Sequence, residues 1–159
     1  MIQRAHKLFS LLAMSLIVGF FCSTLVVELM GDPGVIYQVK NAIFYAIWLL
    51  VVAMAATGIT GVRMAGKRRG GLIGNKKKRM PLVALNGLLI LIPSAIYLRS
   101  LAAAGDIGTV FYLIQTLELL AGAVNISLMA LNIRDGLKIA AASQQAVAAG
   151  TSSHTGQPG

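Results

Sequence analysis

The chain has 159 residues, 57% of them hydrophobic and 12% charged, where a soluble domain carries about 25% charged residues. Its net charge of +9 would suit nucleic acid in a soluble protein, but the positive residues flank long apolar runs and no aromatic side chains interleave them as a base-stacking surface requires. Cys22 is the single cysteine, which excludes an internal disulfide, a paired-thiol redox motif and a cysteine cluster for zinc or iron–sulfur.

Leu8 to Met30 is the first apolar run, broken only by small polar residues and by Glu28 at its far end. At about 1.5 Å per residue such a helix covers the roughly 30 Å hydrocarbon core of a bilayer. A secretory signal would have a shorter apolar core and a small-x-small cleavage site, so an uncleaved helix is expected. Asp32-Pro33-Gly34 reads as a turn, and a second run follows over about 39–62. It ends at a glycine- and lysine-rich segment, 63–80, that carries Arg63, Lys67, Arg68, Arg69, Lys76, Lys77, Lys78 and Arg79.

Pro81 stands where the first residue of a helix is expected, opening a third run over 81–103. Pro93 inside it removes a hydrogen-bond donor and predicts a kink, with the carbonyl of Leu89 left without its usual partner. Gly105-Asp106-Ile107-Gly108 breaks the chain before a fourth run over 109–133, closed by Arg134-Asp135-Gly136. Residues 143–159 offer no apolar face and are expected to be a disordered tail.

The expected fold is all-α: a four-helix transmembrane bundle over residues 1–142. Of the 14 lysines and arginines, only Lys40 and Arg99 fall on the side opposite the basic segment. This imbalance predicts both termini and the loop 63–80 in the cytoplasm, with the inner membrane of a bacterium as the expected location. The eight basic residues of the loop are expected to fix topology and to meet anionic lipid headgroups, at about 1 kcal/mol each.

Ionisable and amide side chains inside a span are costly in hydrocarbon and must face protein or water. Glu118, Asn125 and Asn132 recur at seven-residue steps with Gln115, Gly122 and Met129 on the same stripe, so one face of the fourth helix is expected to look into the bundle. Depth matching places Asn86 beside Asn125, and Ser94, Trp48, Ser23 and Thr24 near the level of Glu118. The result is a polar seam of interhelical hydrogen bonds. Gly58, Gly61 and Gly122 are expected to let helix backbones approach, and Thr57 and Thr60 to bond back to their own helix.

His6 and His154 lie outside the spans, so a haem held by two histidines across the bundle is not available, and the scattered methionines suit packing. No metal site and no cofactor is predicted, nor can a Ser–His–Asp, Cys–His or paired-carboxylate set be assembled at one depth. The expected function is a non-catalytic membrane subunit that packs against a membrane partner or against itself. The alternatives are a small proton-coupled transporter or channel using Glu118, and an anchor that binds a lipid or quinone.

Overall fold

The computed structural model describes the backbone of residues 1–65 and 71–154 and the side chains of residues 1–64 and 78–145. The described chain is helical: α1 (Ile2–Met30), α2 (Pro33–Ala65), α3 (Gly71–Asn86), a single π turn (Gly87–Leu91), α4 (Ile92–Ala103) and α5 (Thr109–His154). Four stretches are long and apolar enough to span a membrane: Ile2–Met30, Pro33–Met64, Lys78–Ala103 and Thr109–Gln145.

The two tight connections have simple local causes. Gly31 adopts φ 68° and closes α1, its amide donating to the Val27 carbonyl at 3.1 Å, the left-handed helix ending that glycine permits without a Cβ clash. Asp32 then caps α2: one carboxylate oxygen accepts from the amides of Gly34 and Val35 at 2.8 and 3.1 Å, and Pro33 takes the first helical position, where a missing amide donor is harmless. Helix α2 therefore begins six residues before the apolar run at 39, because capping rather than hydropathy sets its start. Gly105, at φ 70°, turns the chain between α4 and α5.

The third span differs from its expected form at both ends. Pro81 lies inside α3, which starts at Gly71, so the helix is established a good distance ahead of the proline. The expected kink at Pro93 takes the form of a π turn. The Ile92 amide reaches back five residues to the Gly87 carbonyl, widening the helix just ahead of the residue that has no amide to give. At the other terminus, α5 continues to His154 across much of the segment expected to be disordered. Its Ala140-Ala141-Ala142-Ser143-Gln144-Gln145 sequence propagates an existing helix at little cost, since alanine and glutamine are good helix formers and nucleation has already occurred. Residues 155–159 lie outside those described.

Helix α1 packs on α2 and α5, the α3–π–α4 unit packs on α2 and α5, and the remaining pairs sit diagonally across the bundle. Two apolar layers form the core. The middle layer contains Ala13, Ile17, Ile43, Ile47, Leu50, Ala53, Val83, Ala95 and Met129. A second, near the connections at 31–32 and 104–108, contains Val27, Ile36, Leu98, Ala102 and Phe111. We call that extremity the loop end, and the opposite one, where Arg63, Lys78, Arg79 and Arg134 gather, the basic end.

Candidate functional site

The buried face of α2 runs Ile36, Lys40, Ile43, Ile47, Leu50, Ala53 and Thr57, a series of three- and four-residue steps that keeps all of them on one side of the helix. Lys40 belongs to that stripe. It is 1% exposed, between Ile36 of the loop-end layer and Ile43 of the middle layer. Its ammonium donates to Glu118 Oε2 at 2.7 Å and, more weakly, to Thr24 Oγ1 at 3.5 Å. The Glu118 side chain is 13% exposed. This ion pair joins α2 to α5 across the bundle diagonal, where the two backbones do not meet.

Two further groups complete this charged layer. Gln115, one turn from Glu118 toward the loop end and 3% exposed, donates its amide to Glu118 Oε2 at 3.3 Å, while its Oε1 is buried with no donor among the described residues. Glu28 of α1 has both carboxylate oxygens buried, and neither receives a hydrogen bond there. It stands one helical turn beyond Thr24 on α1, the hydroxyl that the Lys40 ammonium reaches. The layer thus holds two carboxylates and one ammonium. Beside Glu118 and Thr24 lies a cavity of about 50 Å³, otherwise apolar, walled by residues that include Phe20, Phe21, Ile47, Leu91 and Gly122. That volume holds a few water molecules, at about 10–15 Å³ each by the same measure.

Nearer the basic end, Asn86 donates to the Asn125 side-chain oxygen at 2.9 Å and to the Ala121 carbonyl at 2.8 Å. Asn125 is fully buried and turns its own amide toward the Val83 carbonyl at 3.5 Å. Gly87 at the π turn stands against this pair, with the Asn125 amide nitrogen and Met54 Cε each 3.8 Å from where a Cβ would be. Asn132, next along the stripe, is buried with its Oδ1 unpartnered among the described residues. At the basic end itself, Asp135 accepts from Arg79 at 2.7 Å and from Arg134 at 3.3 Å. The His6 Nδ1 lies 2.9 Å from Thr60 Oγ1. Because Thr60 gives its own proton to the Ala56 carbonyl at 2.6 Å, the imidazole is the donor in that contact.

The structure brings together Gln115, Glu118, Asn125 and Asn86 along one interior line, and buries Ser94 and Asn132 on the bundle side of their helices. It separates others. Trp48 is 54% exposed and points away from the seam, and Ser23 bonds the Phe20 carbonyl of its own helix at 3.0 Å. Thr57 and Thr60 bond back to α2 as expected. The three glycines divide as well. Gly61 backs onto His6 and Met80, Gly122 onto Phe21, while Gly58 has nothing within 4 Å of its Cβ direction, so it is not part of the packing inside the bundle.

Among the basic residues expected at lipid, Arg63 and Lys78 are exposed, whereas Arg79 is 22% exposed and committed to Asp135. Lys67, Arg68 and Arg69, and the side chains of Lys76 and Lys77, lie outside the described residues. Lys40, Glu28, Asp135 and His6 are the site residues that the pattern reading passed over. The charge imbalance counts Lys40 only with Arg99, on the side opposite the basic segment. The cue that identifies it is spacing, since it completes an unbroken apolar stripe, and a charge on that stripe requires an acid facing it. Comparison with protein-family models, with curated proteins and with solved structures returned no match.

Proposed function

We propose that this chain is a non-catalytic integral membrane protein of a bacterial inner membrane, with four spans and both termini and the basic segment in the cytoplasm. In this reading it serves as a structural or accessory subunit, packing against another membrane protein or a second copy of itself. The observation that carries the reading is the outer face of α2. There Trp48, Val52, Ala55, Ile59 and Val62 are exposed in a row at helical spacing, with Gly58 beside them and nothing against it. A small residue amid larger apolar ones lets a second helix come close, and in lipid that close approach, rather than hydrophobicity, drives helix association.

Inside the bundle the polar side chains are largely engaged with one another. Lys40 with Glu118, Asn86 with Asn125 and Arg79 with Asp135 tie the second and third spans to the fourth in one register, a role buried polar contacts serve at some cost in stability. A lipid- or quinone-binding role has less support, because the cavity beside Glu118, about 50 Å³, is far smaller than the several hundred Å³ of ordinary ligand pockets.

Native purification in mild detergent, followed by mass spectrometry of the intact assembly, tests the reading. The expected result is a defined larger complex or homo-oligomer that dissociates in Gly58→Leu while the bundle itself stays folded. A wild-type chain that purifies as a monomer with lipid alone would count against a subunit role.

A further inference from the structure

The layer formed by Glu28, Lys40, Gln115 and Glu118 does not balance. Two carboxylates face a single ammonium, and Lys40 is already bonded to Glu118. Among the described residues Glu28 keeps two buried oxygens without a donor, and the Oε1 of Gln115 is a third such oxygen. Gln115 is 3% exposed and aimed into the layer by its amide bond to Glu118. Among the described residues no further cation is bonded to these carboxylates: Arg99 of α4 is held by Asn41 at 2.9 Å and by the face of Phe44 at 4.6 Å. A buried charge without partner or hydrogen bond is costly enough that proteins neutralise it, and oxygen acceptors with no donor suit a small hard cation or a proton.

We propose that this layer is a binding site for one small monovalent cation, a proton or a sodium ion, taken up by Glu28 with Gln115 and Glu118 beside it. Lys40 sets the stoichiometry at one, because its fixed positive charge cancels one of the two carboxylates. Toward the loop end the site adjoins the layer of Val27, Ile36, Leu98 and Phe111, the last three no more than 1% exposed. On its other side Glu118 borders the water-sized cavity, which supplies room for a hydrated ion to approach. The inference stands apart from the subunit reading, since a structural subunit and a lone protein carry the same layer.

The full chain is purified in mild detergent and held in a lightly buffered medium free of metal ions, with choline as its only added cation. Proton release on an alkaline step is followed with an indicator dye and by the infrared carbonyl band of a protonated carboxyl group. Sodium is then added, with proton displacement and sodium-23 magnetic resonance as readouts. The expected result is one cation per chain in the wild type. Proton release that sodium does not affect assigns the site to the proton, and displacement of the proton by sodium assigns it to both.

Glu28→Gln and Glu118→Gln each leave one carboxylate against Lys40, so each drops the uptake from one per chain to none. A wild type that takes up neither ion overturns the proposal without reference to any variant. Uptake retained in either variant, judged folded by a single elution peak and helical circular dichroism, overturns it equally.

Discussion

Lys40 is the residue on which the interior turns, and its burial has an asymmetric consequence. Removing one partner of a buried pair costs about 3–5 kcal/mol, because the other charge is left stranded. Lys40→Met strands Glu118, its bonded partner, and should reach that range. Glu118→Gln leaves Lys40 with Glu28 still in the layer, keeps a hydrogen-bonding oxygen at 118, and should cost only about 1–2 kcal/mol. Reversible unfolding in mixed detergent micelles measures both, and equal losses would show that Glu28 does not share the lysine. The asparagine pair is a smaller case of the same logic. Asn125→Leu leaves Asn86 with only the Ala121 carbonyl of its two acceptors, so a loss of about 1–2 kcal/mol is expected. A double-mutant cycle with Asn86→Leu should show coupling between the two positions, and strict additivity would place the bond outside the forces that hold the bundle.

At the scale of elements, α2 carries two glycines one turn apart whose surroundings differ. Alanine is favoured over glycine within a helix by roughly 0.5–1 kcal/mol, and at Gly58 nothing stands in the way of the new methyl group. At Gly61 the same methyl group would meet His6 Cε1 at 3.3 Å, so the imidazole bonded to Thr60 must move. Gly58→Ala should therefore raise the midpoint of thermal unfolding of the detergent-solubilised monomer, and Gly61→Ala should not. A gain of the same size at both positions would mean that α1 is looser against α2 at the basic end than His6 implies. The π turn makes a similar point about fit. Gly87→Ala adds a methyl group at ordinary contact distance, 3.8 Å from Asn125 and Met54, and should be nearly neutral, whereas Gly87→Leu overpacks that corner and should cost about 1–3 kcal/mol.

For the whole molecule, the proposed orientation has a direct test. With Cys22 replaced by serine, a cysteine at Asp106 lies in the exposed connection at the loop end, and a cysteine at Lys138 is exposed beyond the basic end. In intact cells a membrane-impermeant maleimide should label position 106 and spare 138 until the membrane is opened. The reverse pattern would invert the topology argued from the basic residues. At 46 residues, α5 is about 69 Å long at 1.5 Å per residue, more than twice the thickness of a hydrocarbon core. In the proposed orientation its last turns extend into the cytoplasm.

How much of this was legible in the chain itself follows from the range of the forces involved. Hydropathy is a property of a segment, so the four apolar helices and the interior stripe of α5 from Gln115 to Asn132 could be read from composition and spacing. Even the Asn86–Asn125 pairing followed from depth. Helix ends were less legible, because Asp32 capping α2, the helix already formed ahead of Pro81 and the alanine-rich extension of α5 depend on local bonding that hydropathy does not register. Partnerships between helices were the least legible. Whether Lys40 faced outward or reached a carboxylate 78 positions further along the chain, whether Glu28 joined them, and which of Gly58 and Gly61 lay inside were decided by the rotation of each helix about its axis. That rotation is fixed only when all four helices pack, since one residue of rotation, about 100°, moves a side chain from the interior to the surface.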